Sequence, residues 1–124
     1  RLTVPILDVE IALRPGETLA PALASKLADA IGEVLGAPAG KVWLRLRALP
    51  EGSYAENGQG GDRFFPVFVT FSAKTLPEGV DLEAKVAAIT RAVARLAGRP
   101  AENVHVTIEP GLRGRIAFGG KLQA

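Results

Sequence analysis

Apolar and polar side chains alternate along residues 3–12. Leu7, Val9 and Ile11 fall on one side and Ile6, Asp8 and Glu10 on the other, the two-residue period of a strand with one face on a core. The period changes after the Arg14-Pro15-Gly16-Glu17 turn. Leu19, Leu23, Leu27, Ile31, Val34 and Leu35 recur at helical spacing, with Thr18 as the expected N-cap and Gly36 and Pro38 as the stop. Val42, Leu44 and Leu46 then alternate with Trp43, Arg45 and Arg47 as a second strand. The same succession follows in the other half. Val67, Val69 and Phe71 point one way, Asp81 is the expected cap of a helix carrying Val86, Ile89, Val93 and Leu96, and Val104, Val106 and Ile108 return as a strand.

The two halves keep one spacing. Gly36, Pro38 and Val42 recur as Gly98, Pro100 and Val104, each 62 residues later in a chain of 124, and Pro15 recurs as Pro77. A constant offset of this kind marks an internal repeat, here 1–62 and 63–124 within a single domain 1–124. The expected fold class is α/β. Two tandem β-α-β units with right-handed crossovers form one four-stranded sheet with both helices on one face, followed by a short C-terminal hairpin. The Gly-rich connector 49–63 is the longest loop.

Composition narrows the chemistry. The chain has no cysteine and one histidine, which excludes a disulfide framework, thiolate zinc and a His-rich metal cluster, so no zinc site is expected. Its net charge of +2 is spread among interspersed acids and bases, which argues against nucleic acid as a partner. No apolar run approaches the roughly 20 residues of a membrane span, and no leader pattern is read, so a cytoplasmic location without membrane association is expected. The outward sheet face mixes Trp43 and Phe68 with Asp8, Glu10, Arg45, Arg47, His105 and Glu109. Such a face, bare on one side of a small sheet, is expected to pack against other copies of the chain, the competing reading being a solvated face with two incidental aromatics.

The run Pro5-Ile6-Leu7-Asp8-Val9-Glu10-Ile11, the helix ending at Gly36-Ala37-Pro38, the strand from Val42 and the terminal Gly114-Arg115-Ile116-Ala117-Phe118-Gly119-Gly120-Lys121-Leu122 together resemble the tautomerase superfamily. The first half is similar to 4-oxalocrotonate tautomerase. The doubled length and the Tyr54-Ala55-Glu56-Asn57-Gly58 connector look like 5-carboxymethyl-2-hydroxymuconate isomerase or a fused tautomerase. This resemblance implies a homotrimer and cofactor-free enol-to-keto proton transfer on a small carboxylate substrate. It also implies a pocket at the start of the first strand.

The family's base is an N-terminal proline, and Pro5 is the matching residue. Here Val4 precedes it, so the Pro5 nitrogen is a tertiary amide with no basic lone pair. Three alternatives stand: processing before Pro5, use of the Arg1 α-amine as the base, or a four-residue extension that plugs the pocket. Extended, those residues reach about 13–14 Å. Substrate carboxylates call for arginine, with Arg45, Arg47 and Arg115 as candidates. Pairing of Arg45 and Arg47 with Asp8, Glu10 or Glu109 is the competing role. The family's single-unit members carry arginine where Trp43 and His105 stand. His105 is a candidate proton donor or a packed interface residue, and Tyr54 and Asn57 are candidate donors on the connector. Arg91, Arg95 and Arg99 are read as a solvated basic stripe.

Overall fold

The computed structural model describes residues 4–58 and 64–124. Four strands and two helices form its body: β1 (Ile6–Ala12), α1 (Leu23–Leu35), β2 (Trp43–Leu49), β3 (Val67–Ser72), α2 (Gly79–Ala97) and β4 (Val104–Ile108). The sheet order is β2-β1-β3-β4, and the two-residue strands β5 (Ala117–Phe118) and β6 (Lys121–Leu122) close a terminal hairpin. β1 runs parallel to β2 and antiparallel to β3, and β3 runs parallel to β4. The expected α/β class and strand-helix-strand order are the ones observed.

Leu7, Val9 and Ile11 of β1 and Val67, Val69 and Phe71 of β3 are buried against Leu23, Leu27 and Ile31 of α1 and Ile89 and Val93 of α2. Both helices therefore cover one sheet face. Each such side chain removed from water contributes about 1.5–3 kcal/mol, so this layer holds the fold. The other face carries the opposite parity of every strand and is free for chemistry or contacts.

Three local expectations give way. α1 starts at Leu23 instead of after Thr18, because Pro21 disfavours helical geometry at Ala20; the N-cap position falls on Ala22 in a left-handed conformation with φ 62. α2 starts at Gly79, so Asp81 is no cap. It lies in the first turn, where its charge suits the helix dipole and meets Lys85 at 3.6 Å. Arg91 and Arg95 are exposed as expected, but Arg99 is 5% exposed. Gly98, with φ 68, ends α2 and swings the next residue off the helix surface toward the end of β1 and the entry to β3.

There the Arg99 guanidinium is fully used. It donates to both carboxylate oxygens of Glu17 at 2.7 Å, to Ala12 O at 2.6 Å, Ala97 O at 2.9 Å and Phe65 O at 3.2 Å. One side chain thus ties the end of β1, the turn after it, the end of α2 and the entry to β3. Glu17 answers with a pKa lowered from 4.5 to about 2, chiefly by these hydrogen bonds.

Gly36 ends α1 in the left-handed region with φ 64, and its neighbour Ala37 donates back to Gly32 O at 2.9 Å. A Cβ built at Gly36 meets nothing within 4 Å, so only the backbone resists substitution. Gly36→Ala is expected to cost about 1 kcal/mol, measured as a lower urea midpoint at unchanged slope.

Candidate active site

Strand register arranges the outward face in three cross-rows. Trp43, Ile6 and Ser72 form the first, Arg45, Asp8, Thr70 and Thr107 the second, and Arg47, Glu10, Phe68 and His105 the third. The first row lies at the start of β1. The third lies four residues along it, about 13 Å away at the rise of a strand.

Pro5 is buried at the head of β1, and its carbonyl accepts a hydrogen bond from Trp43 N at 3.1 Å. Beside it a pocket of about 380 Å³ is lined by Ile6, Trp43, Leu44, Arg45 and the hairpin segment 116–119. The hairpin forms one wall: the rings of Trp43 and Phe118 meet edge to face with centroids 5.2 Å apart. Apolar walls and a guanidinium line this corner, and Pro5 precedes its wall residue Ile6 without lining the pocket itself.

Arg45 is engaged within the sheet. Its Nε and Nη2 donate to Asp8 Oδ1 and Oδ2 at 2.6 and 2.9 Å, a bidentate pair that lowers the Asp8 pKa and raises that of Arg45. Arg47 donates to Glu10 at 3.3 Å and lies 3.8 Å from Asp8. Both guanidinium side chains remain more than half exposed, so water screens these pairs and either arginine can exchange its partner for another carboxylate at small cost.

The remaining candidates divide. Tyr54 and His105 flank Phe68, with centroids at 5.7 and 5.8 Å, and so belong to the third row, away from Pro5. Asn57 is exposed on the connector, and Arg115 is exposed in the turn leading into the hairpin, next to Ile116 of the pocket wall. Arg1 lies outside the described residues. Glu56 was not singled out by the sequence reading, yet its carboxylate accepts the Tyr54 hydroxyl proton at 2.6 Å and raises the Tyr54 pKa.

Two of the other hollows are lined by different residues. One of about 240 Å³ lies beyond the far end of β1, among Leu13, Pro15, Pro50, Tyr54, Phe64 and Phe65. The other, about 630 Å³, follows the charged flank of α1. Among the described residues no helix is long and apolar enough to cross a membrane, and no group of three or more His, Cys, Asp or Glu is placed to hold a metal ion.

No protein-family model matches the sequence, and no curated protein matches it. Solved structures do. Pt0534 inactivated by 2-oxo-3-pentynoate superposes with a TM-score of 0.76 over 95% of both chains at 20% identity. A wild-type fused 4-OT in a symmetric trimer gives 0.71 over 95% of this chain and 94% of its own at 22% identity. Macrophage migration inhibitory factor from Oncomelania hupensis gives 0.71 over 95% and 81% at 17% identity. The fold of this chain is that of the tautomerase superfamily.

Proposed function

We propose that the protein is a tautomerase-type isomerase that moves a proton between the enol and keto forms of a small carboxylic acid, without cofactor, as a homotrimer of chains built from the repeats 1–62 and 63–124. The observation that carries this reading is the corner at the head of β1: a buried proline, an apolar pocket of about 380 Å³ and an arginine held by a replaceable partner. The fused 4-OT and Pt0534, one a trimer and the other inactivated by a 2-oxo acid, share the surrounding fold.

The chemistry assigns each group a task. A proline nitrogen freed from the Val4–Pro5 bond is a secondary amine, and apolar walls with a nearby guanidinium favour its neutral form. That amine takes the enol proton and returns it to carbon. Arg45 leaves Asp8 for the substrate carboxylate, with Arg47 and Arg115 as further donors, and holds the charge that builds on the adjacent oxygen. Trp43 and Phe118 supply apolar ring surface beside the transfer. The Arg1 α-amine is the alternative base where residues 1–4 stay in place.

A second reading is favoured by the same bond: with Val4–Pro5 intact the proline nitrogen is an amide, and the protein then binds a small acid without turning it over. Treatment with 2-oxo-3-pentynoate, followed by intact-mass and peptide mass spectrometry, separates the two. A chain beginning at Pro5 is expected to be modified at that residue, and the chain carrying residues 1–4 to stay unmodified there. Absence of modification in both, with benzoate still bound near Arg45, would favour the binding role.

A further inference from the structure

Adding 62 to both members of each β1–β2 pair, from Ile6 opposite Trp43 to Val9 opposite Leu46, returns the β3–β4 pairs from Phe68 opposite His105 to Phe71 opposite Ile108. The loops follow the same rule. Ser53 N donates to Pro50 O at 2.9 Å and Arg115 N to Leu112 O at 2.8 Å, and Gly52 and Gly114, like Gly58 and Gly120, share positive φ. The connector is therefore the counterpart of the terminal hairpin. The pocket beside Pro5, formed by Ile6, Trp43, Arg45, Ile116, Phe118 and Gly119, has as its image Phe68, His105, Thr107, Tyr54, Glu56 and Asn57.

Two ring contacts fit that image. Tyr54 packs on Phe68 as Ile116 joins Ile6 in lining the first pocket, and Phe68 is in ring contact with His105. The chemistry, however, is inverted. Where the first corner has Arg45 the second has Thr107, where it has Phe118 the second has Glu56, and where the first half has Arg47 the second has Glu109. Glu10, opposite Phe68, is already paired with Arg47 at 3.3 Å. Glu56 meets the neutral Tyr54 hydroxyl and has no ion pair among the described residues. The Tyr54 and Phe68 rings, tilted against each other, with a carboxylate tied to the Tyr54 hydroxyl attract positive charge.

We propose that this second corner is a binding site for a small planar cation, an aromatic amidinium or ammonium, distinct from the carboxylate corner beside Pro5. The cation stacks on Phe68 between Tyr54 and His105, and its N–H groups donate to Glu56. The site does not depend on the proline chemistry and stands or falls separately from it.

The test uses two probes of one shape and opposite charge, benzamidine and benzoate, titrated into ¹⁵N-labelled full chain. Benzamidine is expected to shift the amides of residues 54–58, Phe68 and His105 saturably, while benzoate leaves them in place. Glu56→Gln, isosteric and on a loop, is expected to weaken benzamidine about tenfold or more, because a charge-assisted hydrogen bond is lost. Glu33→Gln on the exposed flank of α1 is expected to leave binding unchanged. The proposal is overturned if benzoate shifts this corner as strongly as benzamidine does. It is also overturned if Glu56→Gln binds benzamidine equally well, or if millimolar benzamidine produces no saturable shift there.

Discussion

A chain that begins at Pro5 is expected to ketonise an aryl enolpyruvate at least about a hundredfold faster than the chain carrying residues 1–4, the lower bound of what a positioned general base supplies. The argument is one of bonding. Acylated by Val4, the ring nitrogen shares its lone pair with a carbonyl and accepts no proton at neutral pH. Released, it is a secondary amine on a buried residue whose carbonyl stays tied to Trp43 N, so the cut spares the contact that anchors Pro5 at the head of β1. The apolar corner with the Arg45 guanidinium nearby disfavours the charged amine and so lowers its pKa. The trimmed chain's kcat/KM should accordingly rise with pH through a single limb, as the amine loses its proton, and then level. Initial rates from ultraviolet absorbance over pH 5–9 read both effects. Equal rates for the two chains would remove Pro5 from the chemistry and leave the Arg1 amine or a binding role.

The fold was legible because each strand and helix carries its own period. Leu7, Val9 and Ile11 announce which face of β1 is buried, and Leu23, Leu27 and Ile31 place α1 over it, whatever the exact ends. Ends were harder. Pro21 acts on the residue before it and outweighs a good capping residue at Thr18, a competition between two local rules that periodicity does not decide.

Side-chain parity placed the outward arginines and aromatics on one face, but parity is silent about which rows they share. Tyr54 sits in a loop, so only the folded chain shows it beside Phe68, four residues of strand away from Pro5. Glu56 could have been found from sequence: it occupies the position of Phe118 under the 62-residue offset, and a carboxylate in place of a phenyl ring is a change of chemistry. Arg99 had no such signal. It reads as the third cation of a helical stripe, Arg91-Arg95-Arg99, until Gly98 turns the backbone and exchanges solvent for the carbonyls of Ala12 and Phe65.

Arg99→Met is expected to destabilise the protein by about 3–5 kcal/mol at pH 7, the range for removing one partner of a buried ion pair. Methionine fills the volume but leaves Glu17 without its guanidinium and Ala12 O and Phe65 O without a donor. The Glu17 side chain is 23% exposed, so water softens the loss toward the lower end of that range. The pH dependence identifies the cause. Glu17 titrates at about 2 in the fold against an ordinary 4.5, which corresponds to about 3 kcal/mol of stability. Because the folded value is the lower one, that stability is present in full above about pH 4.5 and is lost as pH falls toward 2. Urea unfolding at pH 7, 4 and 2.5 should therefore show the gap between parent and Arg99→Met narrowing at each step. Adding Glu17→Gln to Arg99→Met should recover part of the loss at pH 7, since no unpaired charge then remains, and should flatten the variant's own pH dependence. A gap that stayed constant from pH 7 to 2.5 would mean that Arg99 stabilises through its backbone acceptors alone, and that Glu17 is a bystander at the junction of β1, α2 and β3.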